Sequence, residues 1–116
     1  MLGLAEIAEA AAARVVVAPA GARTVDRVYA GDRISDLLEC SSASTLIVTN
    51  LASRQLVELA ALMDVPAVCL LSGAEPDPEL ARAAEASGTA LLVSPHDMFE
   101  TCGRLWARLS GGRCAE

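Results

Sequence analysis

The chain has 116 residues, is 53% hydrophobic and carries a formal net charge of −6. This length suits one domain, and an acidic chain without a basic cluster argues against a nucleic-acid partner and against an anionic membrane surface. Every basic residue is arginine, so Schiff-base catalysis by lysine and a phosphate-binding loop lysine are both excluded.

The four cysteines are too far apart for a metal-finger pattern, and scattered thiols are typical of a reducing compartment. The first residues lack the basic segment of a secretory signal peptide. No uncharged run reaches the ~18 residues that a membrane helix needs. We therefore expect a cytoplasmic protein without a resident metal or cofactor.

The first half of the chain predicts two helices and two short strands. Apolar residues at helical spacing predict a helix over 2–13. A strand follows over 15–18, and a second short strand over 25–29 leads through a turn at Gly31 into a helix around Leu37.

The second half repeats the order strand, polar turn, helix. Three apolar runs begin at a constant spacing of 22 residues, at Thr45, Ala67 and Thr89. They predict strands over 45–49, 67–71 and 89–93, and helices over roughly 53–63, 78–87 and 95–109.

These apolar runs are continuous rather than alternating, which is typical of strands buried on both faces of a parallel sheet. We therefore predict an α/β fold with three layers, α/β/α, around a small, mainly parallel five-stranded sheet. It forms a single domain over 1–110, followed by a flexible tail over 111–116.

Ligands of open parallel sheets bind beyond the carboxyl ends of the strands, and right-handed crossovers bring the strand-to-helix loops to that edge. The candidate ligand contacts, which we call the strand-end rim, are Gly31, Asp32, Ser35, Asp36, Thr49, Asn50, Ser72, Gly73 and Glu75. Acids at this edge outnumber the nearby Arg33 and Arg54. This favours an uncharged group, a cation or a nucleoside moiety over a bare polyphosphate.

Helix capping is the simpler interpretation of several polar residues in these loops. Asp77 and Ser94 each precede a proline and match an N-cap signature. Asp32 or Ser35 can cap the second helix, and Ser53 can cap the third. A cap contributes about 1 kcal/mol, which is enough to explain its presence.

Acid–base or metal chemistry remains an alternative at the same edge. Asp32 and Asp36 are four residues apart, so a helix would place both carboxylates on one face, as a weak Mg²⁺ site would require. His96 is the only histidine and could act with them, while Ser72 or Thr49 could anchor a substrate. No GxxxxGK, GxGxxG or GxSxG motif accompanies these residues.

The order of several short motifs resembles that of small stand-alone DRTGG-domain proteins. Residues 28–38, V-Y-A-G-D-R-I-S-D-L-L, are similar to that family's V-Y-x-G-D-x-x-S-D segment. Residues 71–77 resemble its x-x-G-x-E-P-D turn, and residues 90–94 followed by 98–100 resemble its final strand and helix. The D-R-T-G-G signature itself is not intact, and loop 49–54 lacks the histidine of stand-alone members.

This resemblance implies a three-layer domain related to the N-terminal domain of HPr kinase, with a regulatory role. Stand-alone relatives accompany iron-only hydrogenase and NADH-oxidising genes, which implies an association with redox or hydrogenase-type metabolism. We therefore expect a non-catalytic regulatory or small-ligand-binding domain that senses a nucleoside or nucleotide. It would act as a homodimer or on a larger enzyme partner. The alternatives are a small enzyme that uses His96 with Asp32 and Asp36, and a dimeric assembly adaptor.

Overall fold

The computed structural model describes residues 2–19, 21 and 23–110; the tail expected over 111–116 lies outside the described residues. The elements, in chain order, are β1 Leu2–Gly3, α1 Leu4–Ala11, β2 Arg14–Val17, β3 Thr24–Val25, β4 Arg27–Ala30, α2 Ile34–Cys40, β5 Thr45–Thr49, α3 Arg54–Leu62, β6 Ala67–Leu70, α4 Pro78–Ser87, β7 Ala90–Val93 and α5 Met98–Ser110. Among these, no helix is both long and apolar enough to cross a membrane.

A five-stranded sheet in the order β2-β7-β6-β5-β4 forms the middle layer. Strands β4, β5, β6 and β7 run parallel to one another, as the continuous apolar runs predict. Side chains alternate between the two faces: Ile47 packs with residues of α2, α3 and α4, whereas Leu46 and Val48 pack with residues of α1 and α5. The predicted three-layer α/β fold with a mainly parallel sheet is thus confirmed.

Strand β2 lies at one edge of the sheet and runs antiparallel to β7, with Arg14 opposite Val93. An antiparallel edge strand on an otherwise parallel sheet is common in α/β folds. Its direction has a consequence for the strand-end rim, because it brings Arg14 to the edge at which the parallel strands end.

The strand predicted over 25–29 is wrong in its extent, because the chain breaks at Asp26. Thr24 and Val25 pair with β1 in a separate two-stranded antiparallel ribbon, and β4 begins at Arg27. The amides of Asp26 and Arg27 both donate to the Ser44 carbonyl oxygen, at 3.1 and 3.3 Å. This shared acceptor turns the chain from the ribbon into the sheet.

Helix α5 begins at Met98 rather than near residue 95, so the prediction that Ser94 caps it is wrong. Asp97 is the cap, since its carboxylate accepts the Glu100 amide at 2.9 Å. The Ser94 hydroxyl is buried and instead donates to the Ala11 carbonyl oxygen at 2.8 Å. A buried hydroxyl with a partner on α1 therefore replaces the expected cap.

Of the other capping predictions, only that for Asp77 is confirmed by a side-chain hydrogen bond. Asp77 caps α4, with its carboxylate accepting the Leu80 amide at 2.8 Å. Helix α2 begins after Arg33 and receives no side-chain cap from a described residue, so neither Asp32 nor Ser35 caps it. Ser53 occupies the N-cap position of α3 but makes no side-chain cap bond to a described residue.

Candidate functional site

The sheet order places three turns of the strand-end rim next to one another. Strands β4, β5 and β6 are neighbours, and neighbouring strands lie roughly 5 Å apart. The turn that begins at Gly31 therefore lies beside that of Asn50, and the turn that begins at Ser72 follows on its other side. The predicted grouping of these residues at one edge agrees with the strand order.

Asp32 is the centre of a hydrogen-bond network that joins the first two turns. One carboxylate oxygen accepts the Thr49 hydroxyl at 3.0 Å and the Asn50 amide at 2.7 Å. The other accepts the Asn50 side-chain amide at 3.2 Å. The Thr49 hydroxyl in turn accepts the Leu51 amide at 3.1 Å. One exposed acid thus connects the turn after β4 to the end of β5.

These donors also fix the charge of Asp32. The Asn50 backbone N–H, aided by the side chains of Asn50 and Thr49, lowers the pKa of the Asp32 carboxyl below its ordinary value. Asp32 is therefore ionised at neutral pH with its acceptor positions engaged. A group in this state serves as a hydrogen-bond acceptor, and it does not suit the role of general acid.

The turn after β6 is built from two consecutive residues in the left-handed region. Ser72 has φ 55° and Gly73 has φ 66°, a conformation that costs a non-glycine residue about 1 kcal/mol or more. The Ser72 amide donates to the His96 carbonyl oxygen at 2.8 Å, and the Gly73 amide donates to that of Ser94 at 2.9 Å. The turn after β7 therefore holds the turn after β6 in place.

The lack of a side chain at Gly31 allows its backbone to lie close to the ring of Tyr29. The Gly31 amide donates to the Val48 carbonyl oxygen at 3.0 Å, which continues the bonding between β4 and β5. A Cβ atom at this position would lie 3.2 Å from the ring of Tyr29, so a larger residue requires that ring to shift.

Three acids at or near this edge have basic partners. Glu75 pairs with Arg14 at 3.0 Å, Asp36 with Arg33 at 3.7 Å, and Arg54 with Glu79 at 3.5 Å. Arg14 was missed by the sequence reasoning, because it reaches this edge only through the antiparallel direction of β2. The sequence does indicate a short strand directly after α1, but no sequence pattern gives the direction of that strand in the sheet.

The idea that Asp32 and Asp36 share a helix face is wrong, because Asp32 precedes α2 and bonds to the turn after β5. Ser35 is exposed on the first turn of α2, away from that network. Within the described part of the chain, no group of three or more histidine, cysteine or acidic residues is arranged to hold a metal ion.

His96 lies at the far end of the edge from Asp32. It follows β7, whereas Asp32 follows β4, and β6 and β5 lie between these strands. Three inter-strand steps correspond to roughly 14 Å, which is too far for direct proton transfer. Both backbone groups of His96 are hydrogen-bonded. Its amide donates to the Ser94 hydroxyl at 3.2 Å, and its carbonyl oxygen accepts the Ser72 amide at 2.8 Å.

The thiols nearest the sheet are poor nucleophiles. Burial raises the pKa of the Cys69 thiol to about 12, and burial also raises the pKa of the Cys102 thiol. Both therefore remain protonated at neutral pH, and the thiolate is the reactive form.

A cavity of about 700 Å³ lies between strand β4 and helix α5, outside the strand-end rim. We call it the edge groove; its lining residues are Asp26, Arg27, Val28, Ala30, Cys102, Trp106, Leu109 and Ser110. A second cavity, of about 490 Å³, is lined by residues 23–24 and 42–44. Sequence reasoning missed the edge groove, because it depends on which strand is left at the edge of the sheet.

Neither a protein-family model nor a curated protein matches the chain. Among solved structures, the chain is similar to the CBS and DRTGG domains of the regulatory region of a pyrophosphatase from Clostridium perfringens, in complex with its activator diadenosine tetraphosphate. The TM-score is 0.71 at 16% identity, over 88% of this chain and 45% of the other, so this chain spans less than half of that structure. The fold expected from the resemblance to DRTGG-domain proteins is confirmed.

Proposed function

We propose that this chain is a non-catalytic regulatory domain whose strand-end rim binds a small ligand that contains a nucleoside. The observation that carries the proposal is the engagement of Asp32. Its carboxylate accepts three hydrogen bonds from Thr49 and Asn50, so it shapes a turn before any ligand arrives. Such preorganisation lowers the entropy cost of binding.

Two further observations support a regulatory role. The similar pyrophosphatase structure is a regulatory region in complex with a nucleotide activator. In addition, Arg14 reaches the strand-end rim beside Glu75, so this edge carries one more positive charge than the sequence alone indicates. The action on a larger enzyme is part of this proposal. The association with hydrogenase-type metabolism stays a prediction from the sequence resemblance.

A small enzyme built on His96 is the weaker alternative. In such an enzyme, His96 and Asp32 would be three strand spacings apart. The Asp32 carboxylate also already accepts the Asn50 amide. Asp36, the other acid that His96 could use, lies on α2, which follows the same strand β4. Loss of a measured activity in His96→Ala with an unchanged fold would favour this alternative over the regulatory domain.

A dimeric adaptor is the second candidate, because the surface carries large exposed apolar side chains: Val15, Leu38, Leu62, Phe99 and Trp106. Sedimentation velocity over micromolar concentrations tests it. A monomer throughout would contradict the adaptor, and a concentration-dependent dimer that binds no nucleoside would favour it over the regulatory domain.

The test of the regulatory proposal is a titration of the ¹⁵N-labelled chain with adenosine, ADP and diadenosine tetraphosphate, followed by amide NMR. We expect saturable shifts at residues 31–36, 49–53 and 72–75 with at least one probe. Asp32→Asn should weaken that binding about tenfold, the equivalent of ~1.4 kcal/mol, because the amide accepts fewer of the three hydrogen bonds.

Asp64→Asn is the matched control, since Asp64 precedes β6 at the opposite edge of the sheet from the rim and makes one ion pair, with Arg23 at 3.1 Å. It should bind within about twofold of the wild type. Shifts absent from all three segments with every probe, or equal losses in both variants, would contradict the proposal.

A further inference from the structure

Strand β4 is the last strand of the sheet and leaves backbone groups without partners. It pairs with β5 on one side only, and the amides of Arg27 and Gly31 both point to that side. Because alternate residues of a strand face the same neighbour, the amides and carbonyls of Val28 and Ala30 point away from the sheet. No described residue bonds to them there. An edge of this kind is a template for pairing with another chain.

The aromatic residues of the chain gather at this same edge. The sequence has one tyrosine, one phenylalanine and one tryptophan. Tyr29 is in β4, Trp106 lines the edge groove beside it, and Phe99 lies two helical turns before Trp106 on the same flank of α5. Phe99 is 89% exposed and Trp106 is 67% exposed. Aromatic side chains are enriched at protein interfaces relative to the rest of the surface, so this edge has the composition of a contact with another protein.

A second copy of the chain fits this edge by symmetry. When two β4 strands run antiparallel about a two-fold axis through Tyr29, Val28 of one copy stands opposite Ala30 of the other. Both positions are then hydrogen-bonded pairs, so every outward amide meets an outward carbonyl. Moving the axis by one residue would set one residue of each strand opposite Asp26 or Asp32, which lie outside β4. The axis through Tyr29 therefore gives the most complete pairing.

The same axis brings the two copies of α5 together. Helix α5 contacts both β4 and β5, so its axis lies about half a strand spacing inside the edge. With strands roughly 5 Å apart, the two α5 helices would be roughly 10 Å apart, which is a normal packing distance between helices. They would run antiparallel, so Phe99 of one copy meets Trp106 of the other, as aromatic pairs favour. Gly103 lies between these residues, and its Cβ position is open.

The charges at the ends of β4 balance in this arrangement. Asp26 and Arg27 are exposed and form no ion pair with a described residue. Arg27 would stand opposite Gly31 of the other copy, which has no side chain to obstruct it. Asp32 and Arg33 follow directly. Each end of the interface therefore receives one acid and one base from each copy, so no net charge opposes the contact.

We propose that two copies of this chain associate through β4, antiparallel about Tyr29, so that one sheet runs through both copies and α5 packs against α5. This inference goes beyond the proposed regulatory function and does not depend on a ligand. The turns after β5 and β6 lie on the inner side of β4, so this part of the strand-end rim stays accessible in the dimer.

Disulfide cross-linking tests the register. The two copies of Tyr29 would face each other with Cα atoms about 4.5 Å apart, a separation that a disulfide spans. Tyr29→Cys, in a background with Cys40, Cys102 and Cys114 replaced by serine, should therefore give a cross-linked dimer under mild oxidation. Val28→Cys is the matched control, because the two copies of this adjacent residue would be more than about 7 Å apart. No cross-linked dimer from Tyr29→Cys, or equal yields from both variants, would overturn the proposal.

Sedimentation velocity tests the backbone pairing. The wild type should pass from monomer to dimer over micromolar concentrations. Val28→Pro should stay monomeric with an unchanged far-UV circular dichroism spectrum, because the lost amide faces away from β5 and proline is tolerated at such positions of an edge strand. A wild type that is monomeric throughout, or a folded Val28→Pro that dimerises as strongly as the wild type, would contradict pairing through β4.

A pair of surface substitutions tests the helix contact without changing the backbone. Trp106→Glu should weaken the dimer at least about tenfold, as expected for an aromatic anchor at an interface. Leu62→Glu is the matched control, since Leu62 is 76% exposed on α3, which packs on the other face of the sheet. It should dimerise within about twofold of the wild type. Equal weakening by the two substitutions, or a larger effect of Leu62→Glu, would place the interface elsewhere and overturn the proposal.

Discussion

The edge groove runs along strand β4 and the strand-end rim begins where that strand ends, yet the polar groups of the two regions differ in whether they already have partners. At the rim, Asp32, Thr49 and Asn50 bond to one another. In the groove, the outward groups of Val28 and Ala30 have no described partner, and Trp106 is exposed. The difference teaches that the polar groups of the rim are already paired within the chain, whereas those of the groove have no partner among the described residues.

The largest effect should separate two adjacent residues of α5. Leu105 is fully buried beneath the sheet, whereas Trp106 lines the groove. We expect Leu105→Ala to lower the free energy of unfolding by about 2–5 kcal/mol, and Trp106→Ala to change it by less than about 1 kcal/mol. Urea denaturation measures both. A loss from Trp106→Ala as large as that from Leu105→Ala would show that the groove is part of the core.

The next effect concerns the buried hydroxyl that supports the rim from below. Ser94 donates to the Ala11 carbonyl oxygen, accepts the His96 amide and contacts the Thr101 hydroxyl at 3.2 Å. Ser94→Ala should lower the free energy of unfolding by about 1–3 kcal/mol, because it leaves buried groups unsatisfied.

Ser53→Ala is the matched control for that substitution, since the Ser53 hydroxyl makes no cap bond to a described residue. It should change the free energy of unfolding by less than about 0.5 kcal/mol. Similar losses in the two serine variants, measured by urea denaturation, would remove the support that we assign to Ser94.

A smaller effect is expected from the Asp32 carboxylate, which clamps the rim through the hydrogen bonds that it accepts from Thr49 and Asn50. Asp32→Ala removes the acceptor of three hydrogen bonds at a partly solvated site, and should cost about 1–2 kcal/mol. Asp36→Ala removes a single exposed ion pair with Arg33 at 3.7 Å and should cost less than about 0.5 kcal/mol. Thermal denaturation at neutral pH compares the two variants, and equal shifts in melting temperature would show that the rim is not clamped.

Much of the fold could be predicted from local sequence, because it depends on the hydrophobic pattern. The runs that begin at Thr45 and Ala67 indicated two strands buried on both faces, and both are buried as expected. The cap at Asp77 was also predictable, since a capping carboxylate followed by proline acts within its own helix turn.

The remainder depends on contacts between residues far apart in the chain. Ser94 has a sequence typical of a cap, but its partner Ala11 lies 83 residues away, and no local pattern reveals that bond. Asp32 similarly finds its donors 17 and 18 residues ahead. The edge groove exists because β4 has no neighbour beyond it, which depends on strand order. The chemistry of the site therefore required the tertiary structure, whereas its place at the strand ends did not.

The central claim is that Asp32 clamps the rim in the ligand-free protein, and the carboxyl pKa of Asp32 tests it most directly. We expect ¹³C NMR titration to give a folded-state pKa below the ordinary value of about 3.9. Because the folded pKa lies below the unfolded one, the contribution to stability is complete above the unfolded pKa. It is lost as the pH falls through the folded pKa. An Asp32 pKa at or above the ordinary value, with stability that does not decline over that acidic range relative to Asp32→Asn, would contradict the account.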